Sequence, residues 1–322
     1  MSITPSTTNS AAIPYTVVGG QGAERGSPAR WPLTVIILNR AGRFHRQQLV
    51  EQLVRHEFSE ILCVESGSVN MDIEQQCRAH PSLRFMLLGG ERDTGGSLNL
   101  AIAEARSPFV MVMWNDLTLL PFIDHALASL LSQKVLCTVP LVRSPRGEVV
   151  PSLSMPLEQR KSLKIIHAVP SQTHQASLFP FDYLGIYNRE LFIQSQGFDE
   201  TIRNPFWQKM DFGYRAWLWG NRIEGSTDIR FQASLDLTSE DSTADADYAR
   251  FYAKNLLPQF TGDQATLPRS RFFGFRQVSS RGLFGAIQDF KELRAWVLAN
   301  SYRFKHDARY IAELWETKRG VS

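Results

Sequence analysis

The chain lacks most of the features that would place it in a specialised class. It carries only three cysteines, Cys63, Cys77 and Cys137, an odd and scattered set without metal-ligand spacing, which argues against a disulfide framework or a cysteine-bound zinc. Cys63 and Cys137 sit inside apolar, strand-like runs, so buried free thiols in a reducing compartment are expected. No run of about 18 apolar residues occurs, so no transmembrane helix is expected. The N-terminus has no charged region followed by an apolar core, so no secretory signal is expected either. A formal net charge of +3 is too small to argue for nucleic acid by itself. The histidines, His167 and His174 among them, show no ligand spacing, and no internal repeat is apparent. What remains is an ordinary globular composition, 43% hydrophobic and 21% charged over 322 residues, enough for one large core or two smaller ones.

The pattern that is present alternates strands with helices. Apolar runs at 33–38, 60–64, 84–88, 109–114 and 135–139 read as strands, and amphipathic spacing at 46–58, 72–79, 98–105 and 121–133 reads as the helices between them. Repeated βαβ units require a mostly parallel sheet with right-handed crossovers. Residues 1–30, rich in Ser, Thr, Gly and Ala, read as a flexible lead-in. Residues 141–180 hold prolines, basic residues and one strand at 163–169, and read as an irregular insertion. Further on come a strand at 183–187, a short helix at 188–196, a helix opened by Asp211 and closed by Gly220, and a strand at 229–237. The last third is helical, at 248–257, 284–299 and 302–317. The centre of this pattern is 84–121, where a strand enters the glycine-bearing turn Gly89–Gly96, a helix follows, and the unbroken apolar run 109–114 stops at Asn115-Asp116. A carboxylate at the carboxyl end of a buried parallel strand lies where open α/β sheets place their ligands.

Five segments in order, TVIILNR, EILCVESGS, GGSLNLAIAEA, VMVMWND and GFDE with QKMDFGYRAWLWG, resemble the motifs of GT-A glycosyltransferases, specifically the family-2-like inverting group. The resemblance runs from about Thr34 to Glu240 and rests on order and spacing rather than on any one match. It implies a GT-A-like, Rossmann-like α/β domain over 31–243 with a mostly parallel sheet flanked by helices, followed by a helical C-terminal extension over 244–322. It also implies transfer of a sugar from a nucleotide-diphosphate sugar to a glycan, lipid-linked or other hydroxyl acceptor, with inversion. Nucleic acid is not among the implied partners. In this group a divalent ion, manganese or magnesium, offsets the leaving diphosphate, and a base takes the acceptor proton. Carried onto this chain, Asp116 would hold the metal and donor, with Asn115 beside it. Asn39, Glu65 and Ser66 would line the base and ribose, and Gly96 would let backbone approach the donor. Gln208 and Lys209 would mark the acceptor side, with Asp211 as a substitute base.

Several positions depart from the group's pattern. Trp114 stands where the first carboxylate of Asp-x-Asp belongs, Glu65 and Ser66 replace paired aspartates, and Gln208-Lys209 replace the Glu-Asp pair. A protonated lysine is a poor base, though it can pair with a phosphate. The histidine that completes the metal site has no counterpart, and Asp236, Glu240 and Asp241 are the nearest candidates. Plainer readings accompany each site. Asn115-Asp116 makes a competent turn, Ser97 caps a helix and Asp211 serves as an N-cap paired with Arg215; Trp207, Trp217 and Trp219 offer aromatic faces for an acceptor sugar, with helical core packing the preferred reading for Trp217. The departures support an alternative, a catalytically impaired GT-A module that binds a nucleotide or serves in an assembly. A third reading, a sugar nucleotidyltransferase, would want a glycine-rich basic loop after the first strand, of which LNRAGRF is a faint version. Residues 269–284 interleave Arg269, Arg271, Arg276 and Arg281 with four phenylalanines. They read as peripheral contact with a membrane's inner face or, the plainer and preferred reading, as a loop packing its aromatics on the main domain. The expected location is the cytoplasm.

Overall fold

A computed structural model describes residues 14–20, 29–40, 43–67, 71–159, 162–237 and 240–319. Two strands, β1 (Tyr15–Gly19) and β2 (Trp31–Leu38), precede α1 (Arg43–Val54), and β3 (Phe58–Ser66), α2 (Met71–Ala79), β4 (Leu83–Leu88), α3 (Thr94–Glu104) and β5 (Phe109–Trp114) follow. Next come β6 (Leu117–Leu119), α4 (Asp124–Leu131), β7 (Cys137–Arg143), β8 (Leu153–Gln159), β9 (Ser162–Ala168) and β10 (Gln175–Ala176). Then β11 (Gly185–Asn188), α5 (Arg189–Gln194), α6 (Pro205–Leu218) and β12 (Ile223–Ala233) complete the sheet region. The remainder is α7 (Ala246–Asn255), the small hairpin β13 (Gln259–Thr261) and β14 (Gln264–Thr266), α8 (Phe272–Val278), α9 (Leu283–Ala299) and α10 (Ala308–Arg319).

The main sheet has the order β1-β4-β3-β2-β5-β11-β7-β12-β10, with β6 also on β12. Its centre, β4-β3-β2-β5, is parallel, as is the β7–β12 pair, while β11 runs against both β5 and β7. From β2 the chain builds outward to β3 and β4 on one side and then returns to place β5 on the other. The carboxyl ends of β2 and β5 therefore flank the point where strand order reverses, which opens a crevice.

Both faces of this centre are covered, which is why its strands read as unbroken apolar runs. Leu33, Val35 and Ile37 join a core with Leu49 and Leu53 of α1, Ile73 of α2 and Leu127 of α4. Ile36 and Leu38, pointing the other way, join Leu98 and Ile102 of α3 and Phe212 of α6. Each such side chain contributes about 1.5–3 kcal/mol by leaving water. A third core binds α6 to the C-terminal helices: Trp207 stacks on Phe251 at 5.6 Å and Trp217 meets Trp315 edge-on at 4.8 Å. No helix among the described residues is long and apolar enough to cross a membrane.

Four expectations need correction. The lead-in 1–30 contains a strand: Tyr15–Gly19 pairs antiparallel with β4, its β-branched Thr16, Val17 and Val18 suiting an edge position, while 1–13 and 21–28 lie outside the described residues. The stretch 141–180 is less irregular than expected, and its expected strand is present as β9. β7 continues to Arg143, and β8 and β9 form a hairpin in which Pro156 faces Ile165. Pro140, inside β7, faces Ser226 where the β7–β12 register shifts, so its missing N–H breaks no regular ladder. Asp211 does not open its helix. Asn204 caps it, accepting from the Phe206 and Trp207 amides at 2.9 and 3.3 Å, and Pro205 occupies the first turn. Likewise Asp93 rather than Ser97 caps α3, accepting from the Gly96 amide at 2.9 Å.

Candidate functional site

The site forms where β2 and β5 end at the same level, Leu38 opposite Trp114. The Asn115 amide donates to the Leu38 carbonyl at 2.9 Å, its side-chain Nδ2 to Asn39 Oδ1 at 2.7 Å, and its Oδ1 accepts from the Arg40 amide at 3.0 Å. These bonds lock the two strand exits together and present the next residues side by side. Asp116, 2% exposed, accepts from Arg40 Nε on both carboxylate oxygens, at 3.0 and 2.9 Å. The same guanidinium reaches Asp182 at 2.6 Å through Nη1 and lies 4.7 Å from the centre of the Trp114 ring. Trp114 Nε1 in turn donates to the Asp182 carbonyl at 3.1 Å.

Asp182 and Tyr183 both adopt left-handed backbone, with φ of 48° and 62°. Two consecutive non-glycine residues in that region cost free energy, a pattern that recurs at functional sites. Burial pushes the Asp182 carboxyl above the usual carboxylate range, and Arg40 and Lys209 only partly oppose it. With both carboxylates ionised, the Asp116–Arg40–Asp182 group carries one net negative charge.

Across the crevice, α3 and α6 meet through glycine. A Cβ on Gly95 would stand 2.2 Å from Gln208 Oε1 and 2.7 Å from Phe198 Cβ, so only glycine permits this approach. Gln208 is fully engaged: its amide nitrogen donates to Asp93 Oδ1 at 2.8 Å and to the Asp199 and Ile202 carbonyls at 3.1 and 2.9 Å, while its oxygen accepts from the Tyr183 hydroxyl at 2.7 Å. Lys209 is fully buried, pairs with Glu240, and holds its ammonium 5.0 Å from the Tyr183 ring centre. A cavity of about 750 Å³ opens between these groups and the β8–β9 hairpin, lined by Arg40, Asp182, His167, Phe206, Trp207, Met210, Glu240 and Tyr248 among others.

The fold thus brings together Asn39, Asn115 and Asp116 at the strand exits. Gln208 and Gly96 join through the Asp93 carboxylate, and Lys209 joins the far wall. Other residues are placed apart. Glu65, 8% exposed, is held by Arg46 of α1, which also bonds Asp72 at 2.9 Å, while Ser66 is exposed at the end of β3. Asp211 is fully buried. Asn255 Nδ2 donates to its Oδ1 at 2.8 Å, Arg215 Nη2 to its Oδ2 at 3.1 Å, and Lys254 Nζ lies within 2.8 Å of the carboxylate. Lys254 also bonds Asp199 at 2.8 Å, which joins α7 to the Gly-Phe-Asp-Glu turn. Of the three tryptophans offered as sugar-binding faces, Trp207 lines the large cavity, and Trp217 and Trp219 pack in the helical core.

Sequence reasoning missed Arg40 and Asp182. Arg40 carried a signal, since it follows Asn39 directly at the strand exit. Asp182 carried none, because it lies 142 residues away in sequence and arrives by the fold alone.

A divalent cation needs several oxygen ligands. At Asp116 both carboxylate oxygens already accept from Arg40, Trp114 offers an indole where a carboxylate was expected, and Asp182 is also held by Arg40. Among the described residues no three His, Cys, Asp or Glu side chains gather as a metal-binding group. The residues as arranged do not fit the metal role expected of Asp116. The cation at this point is a guanidinium.

No family model and no curated protein matches the sequence. Solved structures do match by shape. The crystal structure of GalNAc-T7 with UDP, GalNAc and Mn2+ aligns over 90% of this chain with a TM-score of 0.61 and 12% identity, and S. aureus TarS over 86% with a TM-score of 0.49 and 16% identity. The chain spans 57% of the GalNAc-T7 chain and 44% of the TarS chain. The likeness to GalNAc-T7, together with the parallel sheet centre and its switch point, establishes that this chain has the GT-A fold.

Proposed function

We propose that the chain is a glycosyltransferase that moves a sugar from a nucleoside-diphosphate sugar to a glycan or other hydroxyl acceptor, with inversion, and that residues 31–243 carry this activity. The observation that supports it is the cluster of Asn39, Arg40, Asn115 and Asp116 at the carboxyl ends of β2 and β5, whose Arg40 lines the 750 Å³ cavity. In this reading Asn39 at the end of β2, with Glu65 and Ser66 at the end of the neighbouring β3, receives the nucleoside, and the backbone at Gly96 in the first turn of α3 approaches the donor. Phe206 and Trp207 offer aromatic faces for a sugar ring. The acceptor oxygen bonds to the anomeric carbon as the carbon–oxygen bond to the diphosphate breaks, and the acceptor proton passes to Asp182. Burial raises the proton affinity of that carboxylate, which suits a base. Protonation removes one of Arg40's two anionic partners and frees the guanidinium to offset the leaving diphosphate.

UDP is the first nucleotide to test, because the GalNAc-T7 structure holds it. Calorimetry with UDP, GDP and dTDP, each with EDTA and with manganese, should give binding that Arg40→Gln and Asp116→Ala abolish. Binding by no nucleotide under any condition would refute the reading. The full engagement of Gln208 and Asp211, where the resemblance places the base, favours a second reading, a nucleotide-binding module without catalysis. NMR of UDP-sugars with the protein separates the two: the second predicts binding with neither transfer nor hydrolysis.

A further inference from the structure

The segment that joins the C-terminal helices combines two properties seldom found together without a partner. Between Pro268 and Gly285 there are four arginines, Arg269, Arg271, Arg276 and Arg281, and no acidic residue. The formal net charge of the whole chain is +3, so this segment's +4 leaves −1 for everything else. The expected loop is instead helical, α8 and the start of α9, and its aromatics divide. Phe275 is buried and packs on Phe290 at 5.5 Å, with Phe272 at 5.5 Å from the same ring. Phe273, in the first turn of α8, and Leu283 and Phe284, at the corner where α9 begins, are 76%, 53% and 87% exposed. The plainer expectation therefore holds for only half of the phenylalanines.

We propose that this corner docks on an anionic lipid surface, with Phe273, Leu283 and Phe284 entering the headgroup–acyl boundary and the arginines facing the headgroups. Arg281 pairs with Asp289 of α9 at 2.7 Å, so Arg269, Arg271 and Arg276, which form no ion pair among the described residues, supply the positive charge that complements such a surface. A stable protein interface asks for about 800 Å² per partner, whereas three such side chains expose roughly 400 Å². Insertion into lipid requires no matching relief. Two tyrosine rings connect α8 to the cavity wall. Tyr248 lines the cavity and lies 5.9 Å, ring to ring, from Tyr252, whose hydroxyl is 3.7 Å from the position a Cβ on Gly274 would take. Docking would hold that side of the cavity toward the lipid surface. This inference is independent of nucleotide binding.

Flotation with vesicles tests it, using phosphatidylcholine alone and phosphatidylcholine with about one-third phosphatidylserine. The wild-type chain should float with the anionic vesicles only, and raised salt should release it. Arg269→Gln with Arg276→Gln should weaken partitioning by about 25-fold, near fivefold for each arginine. Phe273→Ser with Phe284→Ser should weaken it by at least about tenfold. All four side chains are exposed or project to solvent, and circular dichroism checks that the variants fold. Four results would overturn the proposal: no flotation with either vesicle, equal flotation with both, binding of heparin or inorganic phosphate that the phenylalanine pair does not affect while vesicles are ignored, or self-association abolished by the phenylalanine pair without vesicle binding, which would make the corner a contact between two copies of this chain.

Discussion

Replacing Asp211 with alanine separates a structural carboxylate from a catalytic one. The side chain is fully buried beneath α7, and Arg215, Lys254 and Asn255 all bond to it. Removing it leaves Arg215 and Lys254 buried with one anionic partner fewer, although Lys254 keeps Asp199 at 2.8 Å and Arg215 keeps the Ser195 and Gly197 carbonyls. Breaking a buried ion pair from one side costs about 3–5 kcal/mol, and the retained partners place this case near 3. At about 2.1 cal/mol/K per residue, a chain of 322 residues has an unfolding entropy of about 0.7 kcal/mol/K, so the melting temperature should fall by about 4–5 °C. The midpoint of urea unfolding should fall in step. Asp211→Asn, which keeps the shape and some hydrogen bonds, should lose about half as much. Below the melting range, UDP affinity should remain that of the wild type. A variant that unfolds like the wild type yet loses UDP binding or sugar transfer would refute the reasoning and give Asp211 a chemical role.

The Asp199 carboxyl is pushed up by burial, but Lys254 and Arg250 outweigh this and hold it well below the usual carboxylate range. Its stabilising contribution is therefore present above the unfolded value near 3.9 and is lost as pH falls below it; between pH 5 and pH 3 the wild type should lose about 1 kcal/mol more than Asp199→Asn in urea titrations. At Asp182 the shift has the opposite sign, so transfer should decline as pH falls through a value above the ordinary carboxylate range. Asp182→Asn should lower the transfer rate by about 10²–10⁴-fold and leave UDP binding equal or tighter, since one negative charge beside Arg40 is gone. Transfer that survives Asp182→Asn would move the base to another carboxylate on the cavity, with Glu240 the first to examine.

Strand and helix periodicity in the first half was legible because both faces of the central strands are buried. Apolar runs such as Phe109–Trp114 have no competing explanation in a chain without membrane-length segments. The end of β5 at Asn115-Asp116 was legible for the same reason, as a polar pair abruptly interrupting that run. The boundaries of α6 were not. Its polar residues are buried on several sides at once: Gln208 meets Asp93 and Tyr183, Lys209 pairs with Glu240, and Asp211 is covered by Lys254 and Asn255 of α7 on what would otherwise be the solvent side. The helix therefore shows no polar stripe, and Asp211 looked like a cap. The β8–β9 hairpin was hidden by Pro156, which is tolerated because the hairpin is a two-stranded sheet in which both strands are edges.

From local order alone, this chain's residues determine a βαβ succession and an acidic residue at the carboxyl end of a buried strand, whereas the strand order that puts a switch point between β2 and β5 came with the sheet. The first two depend on the spacing of apolar side chains within a few turns or strands, a property of the sequence itself. The tertiary structure alone decided that Arg40 neutralises Asp116 and that Asp182 arrives beside it from 142 residues away. It also decided that Lys254 seals Asp211, and that Phe273 and Phe284 remain in water while Phe275 does not. Each of these outcomes depends on which groups from distant parts of the chain compete for the same charge or the same apolar surface. That competition is settled only when the elements pack.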